Sequence, residues 1–372
     1  MSLKIGITGA DGLVGWHLRA WLYAYRPEAE VRLATRVSFA DPSTLIDFAS
    51  GLDAIVHCAG QNRGDDAQVE ATNVDLATRL TSACESAVGA GARYPHVVFT
   101  NSTHVTRDTA YGRGKRVAAE ILAMAAARHD SPYTNLILPH IFGEFGKPFY
   151  NSVVSTFCHQ LIAGETPQVN ADGDLELLHT QAAAARFVAA IETREAGEQR
   201  VAGVPMKVSA LLRKLQAMTE LYLEHCRTPD LSDALDLALF NTLRSYRFAR
   251  QPKISLSAGQ DYRALVDELT RGGARTQPVT IAPHAVEGNY FSTQNFERIC
   301  VESGNAVVHV RRLFSHETQA LHTGMSKTEC LDIPTFHTYS IMNEGDSDLV
   351  VLRSTAPHAD STQLTTFTEA VL

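Results

Sequence analysis

The sequence predicts a doubly wound α/β domain followed by an all-β domain. Three observations predict it. From Lys4 to about Thr193, short apolar β-type runs alternate with longer stretches of helical spacing. The first β run ends in a glycine-rich turn that opens a helix, Thr8-Gly9-Ala10-Asp11-Gly12-Leu13-Val14-Gly15. Beyond Gln251 the texture changes to short β runs divided by turn residues. A chain of 372 residues exceeds one ordinary core, so the division is placed near residue 250, giving domains 1–250 and 251–372.

In order, the sequence predicts a strand over 3–8, a helix over 14–25 and a strand over 30–34. Residues 54–58 read as a strand, the fourth of the sheet, followed by a helix over 74–90 with apolar residues at three- and four-residue steps. His-Val-Val-Phe-Thr at 96–100 reads as a buried strand, 114–127 as a helix and 134–138 as a further strand. Strand–helix–strand in succession implies right-handed parallel crossovers. Two Leu-rich amphipathic segments fill 208–247. After them, 279–281, 307–310 and 348–352 are β runs, separated by Gly304-Asn305 and Asn343-Glu344-Gly345-Asp346, which suits a sandwich or barrel.

Bulk properties narrow the function. A net charge of -8 argues against a general nucleic-acid binder, which needs clustered Lys and Arg. No apolar run approaches the roughly 18 residues of a membrane span, and no leader pattern is visible. The six cysteines form no CxxC pair and read as reduced, mostly buried thiols, so a cytoplasmic protein is expected.

The glycine turn has the context a dinucleotide fingerprint requires, strand before and helix after, which makes the first domain Rossmann-type. Gly9 permits the tight turn, Gly12 lets backbone approach a pyrophosphate, and Gly15 lets helix and sheet pack closely. The helix N-terminus at Leu13 and Val14 then presents N–H groups to phosphate. At the end of the second strand stands Ala34-Thr35-Arg36, with no carboxylate before Asp41. Arg36 suits an adenosine 2′-phosphate, so NADP(H) is the expected cofactor; the alternative is a solvated cation at a strand end. Ala59 and Gly60, leaving the 54–58 strand, are small enough to line the cofactor by backbone.

Tyr111 and Lys115 stand four residues apart at a helix start, hence on one face. Hydride reaching a carbonyl carbon leaves an alkoxide that must be protonated, and a free phenol near pKa 10 is poorly matched to neutral pH. A neighbouring ammonium is expected to lower that pKa and to hold the nicotinamide ribose. Just upstream, the strand ends in Phe99-Thr100-Asn101-Ser102-Thr103. Ser102 would polarise the substrate oxygen at the carboxyl edge of the sheet, with Thr103 the alternative substrate-facing hydroxyl.

Together these residues resemble the extended short-chain dehydrogenase/reductases (extended SDR). Pro139-His140-Ile141-Phe142-Gly143, followed by Lys147-Pro148-x-Tyr150-Asn151-Ser152-Val153-Val154-x-Thr156-Phe157-Cys158, resembles more narrowly the bifunctional reductase–cupin enzymes of UDP-N-acetyl-L-fucosamine synthesis, of the CapF type. The resemblance implies NADPH-dependent reduction of a 4-keto UDP-sugar. It sets Pro139 beside the cofactor, and Asn151 and Ser152 in the loop that meets the sugar nucleotide; Tyr150-Asn151-Ser152 also fits a plain helix N-cap.

The same resemblance makes the second domain a cupin-like β-barrel, which in this family holds a metal on histidines and a carboxylate. In the corresponding run, 288–297, Glu297 remains and the histidines do not; in 333–343, Tyr339 takes the ligand position and His337 lies two residues away. No metal is expected. His337, His309 and Glu297 are expected to be satisfied polar residues, and the domain a module for dimerisation or substrate shaping in a homodimer. A metal-free acid–base role for Tyr290, Tyr339 and His337 stays open. Two other readings remain for the whole chain: a redox-neutral nucleotide-sugar epimerase or dehydratase with tightly held NAD(P), and a non-catalytic NADP(H) sensor.

Overall fold

The computed structural model describes residues 2–255, 263, 266, 274–324, 329–356 and 365–372. The chain folds as two compact units, neither continuous in sequence. One takes Met1–Phe142, Phe149–Ser152 and Gly173–Lys207; the other takes Gly143–Pro148, Val153–Asp172 and Val208–Leu372.

The first unit begins β1 (Lys4–Thr8), α1 (Leu13–Tyr25), β2 (Glu30–Ala34). Two short helices follow, α2 (Arg36–Ala40) and α3 (Pro42–Ala49), before β3 (Ala54–His57). The 54–58 run is therefore the third strand, not the fourth. The reason is local: Asp41 accepts from Ser43 and Thr44 N–H at 3.2 and 3.1 Å, and Pro42 sits in the first turn, so the chain starts a helix there. Next come α4 (Asp66–Gly89), β4 (His96–Ser102), α5 (Ala110–Arg128), β5 (Tyr133–Leu138) and β6 (His140–Phe142). After α6 (Val153–Ile162), which belongs to the second unit, the first resumes with β7 (Asp174–His179), α7 (Thr180–Glu192), β8 (Gly197–Arg200) and β9 (Val204–Lys207).

Six strands pair in the order β2-β1-β3-β4-β5-β8, all parallel. Strands buried on both faces need continuous apolar runs, and β3 is buried along its whole length. One core cluster joins Ile5, Ile7 and Val56 to Leu18, Leu22 and Phe187; another joins Ile55, Val97 and Phe99 to Phe48, Leu80 and Leu122. Strand order reverses between β1 and β3, which opens a crevice at their carboxyl ends. A smaller sheet, β6-β7-β9, completes the unit.

Among the described residues, the second unit holds α6, α8 (Val208–Leu223) and α9 (Ala234–Arg250) with ten strands. These are β10 (Lys253–Ser255), β11 (Arg275–Ile281), β12 (Val286–Ser292), β13 (Phe296–Ser303), β14 (Asn305–Arg312), β15 (Thr318–Gly324), β16 (Glu329–Ile333), β17 (His337–Asn343), β18 (Leu349–Ala356) and β19 (Thr366–Thr368). Two five-stranded antiparallel sheets, β10-β16-β13-β18-β11 and β15-β14-β17-β12-β19, share one apolar core.

This corrects the division near residue 250. Both helices of 208–250 pack with the β-sheets, through polar bonds sequence periodicity does not reveal. Tyr222 Oη donates to Asp332 at 2.9 Å, Asn241 to the Gln294 carbonyl at 2.8 Å and Arg244 to the Ile333 carbonyl at 2.6 Å. Arg298, fully buried, makes two bonds to Asp332 at 2.7 and 2.9 Å. Paired with a carboxylate, that charge is tolerable in the interior; alone it would not be.

Candidate active site

The crevice floor is the glycine turn. Gly9 has φ +66°, and a Cβ there would lie 2.8 Å from the Ala59 backbone. A Cβ on Gly15 would lie 2.4 Å from the Gly9 carbonyl oxygen. Only glycine lets these three backbone segments close up. Gly12 caps α1 with extended backbone and no side-chain hydrogen bond, so the first-turn N–H groups at Leu13 and Val14 lack a side-chain acceptor. Below the turn, Thr8 Oγ1 takes the Ala59 N–H at 3.2 Å and bonds His57 Nδ1 at 2.7 Å. Burial holds His57 neutral, its pKa lowered to about 3, with the Lys115 charge adding to the effect. Arg36 opens α2, exposed, with no hydrogen bond or ion pair among the described residues. A cradle a side chain would fill, uncapped N–H groups and an uncommitted cation fit a dinucleotide phosphate.

α5 starts at Ala110, four residues before the expected 114, because Thr109 caps it by accepting from Gly112 N–H at 3.1 Å. Tyr111 therefore lies in the first helical turn, beside the end of β4. Burial pushes its phenol up to about 12, and a hydrogen bond with Ser102 opposes the rise. Lys115, 4% exposed, donates from Nζ to the Thr100 carbonyl at 2.9 Å and lies 4.4 Å from the Phe99 ring centre. Its Nζ is 5.9 Å from the Tyr111 ring centre and 3.7 Å from where a Cβ on Gly60 would sit. Burial lowers the ammonium to about 8. The expected depression of Tyr111 by Lys115 is thus not seen: the ammonium is committed to Thr100, and desolvation of the phenol dominates. Ser102 Oγ also accepts from His104 N–H at 3.2 Å, and Thr103 begins a short 3-10 turn (Thr103–Thr106). Pro139 is buried between β5 and β6.

The profile of the NAD dependent epimerase/dehydratase family matches residues 5–203, more than half of the 372. The chain belongs to this family. A Polysaccharide biosynthesis C-terminal domain profile matches residues 260–367 of this epimerase/dehydratase-family enzyme. A relative from Pseudomonas aeruginosa, UDP-2-acetamido-2,6-beta-L-arabino-hexul-4-ose reductase, is 26% identical over 356 residues, 94% of each chain. The capsular polysaccharide assembling protein CapF of Staphylococcus aureus is 23% identical at a TM-score of 0.54, covering 99% of this chain and 100% of its own. RMD from Pseudomonas aeruginosa, complexed with NADPH, is 17% identical at 0.56, covering 67% of this chain and 99% of its own. At these identities the two structures share the fold.

Two polar residues of the family enzyme escaped sequence reasoning. Asn73, 3% exposed, donates to the Gln61 carbonyl at 2.6 Å and accepts Gln61 N–H at 3.3 Å, fixing the loop beyond Gly60. Its signal was there: with Val69, Ala77 and Leu80 it lies on the buried face of α4, but a helix started at 74 leaves it out. Arg63 donates to Asn151 Oδ1 at 2.9 Å and to the Phe149 carbonyl at 3.0 Å, its guanidinium 5.6 Å from the Tyr150 ring centre. Ser152 Oγ lies 3.4 Å from His140 Nε2.

In the second unit Tyr339 Oη donates to Glu297 Oε2 at 2.5 Å, both side chains buried. Burial raises both pKa values, the phenol's further because it donates to a carboxylate. Tyr290 packs edge-on against Tyr339, ring centres 5.1 Å apart. His337 Nδ1 bonds the Thr335 carbonyl at 3.0 Å, between Phe145 and Phe248 at 5.7 and 5.3 Å. His309 departs from the expected satisfied state, since its buried Nδ1 has no hydrogen-bond partner among the described residues. Among those residues, three or more acids, cysteines or histidines close enough to share an ion occur only at exposed Glu220, Glu224 and His225. No described helix is long and apolar enough to cross a membrane.

Proposed function

We propose that the chain is an NADPH-dependent reductase of a 4-keto nucleotide sugar. The observation that carries the reading is the meeting of Tyr111, Ser102 and Lys115 at the end of β4, beside the crevice floored by the glycine turn. The 26%-identical relative, itself a UDP-hexul-4-ose reductase matched over 94% of each chain, supports it.

Gly9, Gly12, Leu13, Val14 and Gly15 would hold the pyrophosphate by backbone, Arg36 an adenosine 2′-phosphate, and Ala59, Gly60, Pro139 and Lys115 the remainder. When bound, the cofactor supplies hydride to the carbonyl carbon. Tyr111, kept protonated by burial, gives its proton to the oxygen that becomes negative. Ser102 donates to that same oxygen and sets its direction. Lys115 presents its charge from beneath, anchored on Thr100, and orients the ribose. Thr103, Asn151 and Ser152 face the sugar nucleotide. The β-sheets, with Tyr339 on Glu297, serve dimerisation or substrate shaping without a metal, in a cytoplasmic homodimer.

The test is NADPH oxidation with a panel of UDP- and TDP-linked 4-keto sugars. Tyr111→Phe is expected to lose roughly a hundredfold or more in kcat while NADPH binding is kept. Full activity in that variant overturns the assignment.

A further inference from the structure

We infer that Arg63 is a positioning residue for the nucleotide-sugar substrate, setting the conformation of the segment Phe149–Ser152 from the loop that leaves β3. The inference rests on the reading above that this segment meets the sugar nucleotide.

Phe149 has φ +55°, a left-handed conformation disfavoured for any residue but glycine. Such backbone persists where its surroundings over-determine it. Arg63 supplies the determination: one planar group bonds the carbonyl of Phe149, bonds the side chain of Asn151, and covers the ring of Tyr150 between them. A lysine ammonium gathers its three donors on one nitrogen, a compact point charge that cannot reproduce that planar fork. Exposed polar contacts are ordinarily weak, yet three from one side chain to three consecutive residues immobilise the segment at the cost of ordering a single arginine.

The anchor itself is fixed to the crevice. The Arg63 carbonyl accepts from Gln61 Nε2 at 3.0 Å, and Gln61 is held at its backbone by Asn73. One residue before Gln61 is Gly60, beside the Lys115 ammonium. On the far side, Ser152 reaches His140. Hydrogen bonds thus run from Asn151 through Arg63 and Gln61 to Asn73, and the chain before Gln61 passes beside Lys115, all within the first unit. An arginine that acts this way changes how well substrate binds and leaves the proton donor where it was.

The test uses the full-length enzyme and the 4-keto UDP-sugar that wild type reduces fastest. Arg63→Ala is expected to raise KM about tenfold or more, with kcat within about twofold and the NADPH dissociation constant unchanged. Arg63→Lys recovers less than half of the loss on a logarithmic scale. In Arg63→Ala/Asn151→Ala the rise in KM is smaller than the product of the two single effects. A multiplicative double variant, or a fall in kcat with KM unmoved, overturns the inference. So does weakened NADPH binding, which would make Arg63 a cofactor residue. Hydrogen exchange without ligand gives a readout that needs no turnover: the amides of Tyr150, Asn151 and Ser152 should exchange at least about fivefold faster in Arg63→Ala. Unchanged exchange refutes the anchor. If wild type reduces no 4-keto nucleotide sugar, the proposed function fails, and exchange alone decides whether Arg63 holds the segment.

Discussion

Lys115 keeps an ammonium in a place where water has been removed, and the hydrogen bond to Thr100 only partly replaces hydration. Its pKa, about 8 against 10.5 for an ordinary lysine, is lower in the folded chain than in the unfolded one. Folding therefore becomes less costly as pH rises from about 8 towards 10.5, and the penalty is fully present below 8. Lys115→Met should accordingly be more stable than wild type at pH 7, by on the order of 1 kcal/mol, and the gap should close by pH 10. The same variant should lose turnover. Thermal melts at the two pH values check it; a variant less stable at pH 7 contradicts the account. Spacing alone showed that Tyr111 and Lys115 share a helix face. It could not show what each touches, and so missed that desolvation, not the neighbouring charge, governs the phenol.

The glycine turn is a contest between backbone segments, and its three glycines do not carry equal weight. At Gly15 an added methyl meets Gly9 carbonyl oxygen at 2.4 Å and the Ala10 Cα at 2.9 Å, neither of which can rotate away. Gly15→Ala should lift α1 from the turn, costing about 2–4 kcal/mol and abolishing NADPH binding. At Gly12 the backbone is in an ordinary extended conformation, and the nearest atom to a new Cβ is 3.3 Å away. Gly12→Ala should keep the fold to within about 1 kcal/mol while NADPH affinity falls at least about tenfold. Melting temperature and cofactor titration on both variants separate the effects; equal damage from the two would show that the turn is only structural. These elements were legible because strand, turn and helix leave independent marks. What was illegible were the starts of helices: Asp65 and Thr109 cap α4 and α5 well before the starts expected at 74 and 114. The Asp41-Pro42 start of α3 likewise hid behind the expectation of another strand.

At the scale of the molecule, helical periodicity in 208–250 told that faces are buried without telling against what, and so the unit boundary could not be read from it. The buried histidines raise a similar issue, because their types were visible and their charge states were not. Burial lowers His57 to about 3 and His96, His140 and His337 to about 4, against 6.5 for an ordinary imidazole. For each, the unfolded chain takes up a proton near pH 6.5 that the folded chain refuses, so stability is full above that value and declines as pH falls toward the folded pKa. Between its folded pKa and 6.5, each of these rings contributes a slope of about 1.4 kcal/mol per pH unit. Three of the four lie in the first unit, which makes a few kcal/mol per pH unit there, against a whole-domain stability of about 5–15 kcal/mol. The melting temperature should hold level from pH 7.5 to about 6.5 and then fall steeply by pH 5. His57 bonds Thr8, whose hydroxyl also takes the Ala59 N–H beside Gly9, so NADPH binding should vanish with the first unit and not survive it. Calorimetry and cofactor titration across that range give the answer, and a melting temperature unchanged down to pH 5 would mean that these rings accept protons inside the fold.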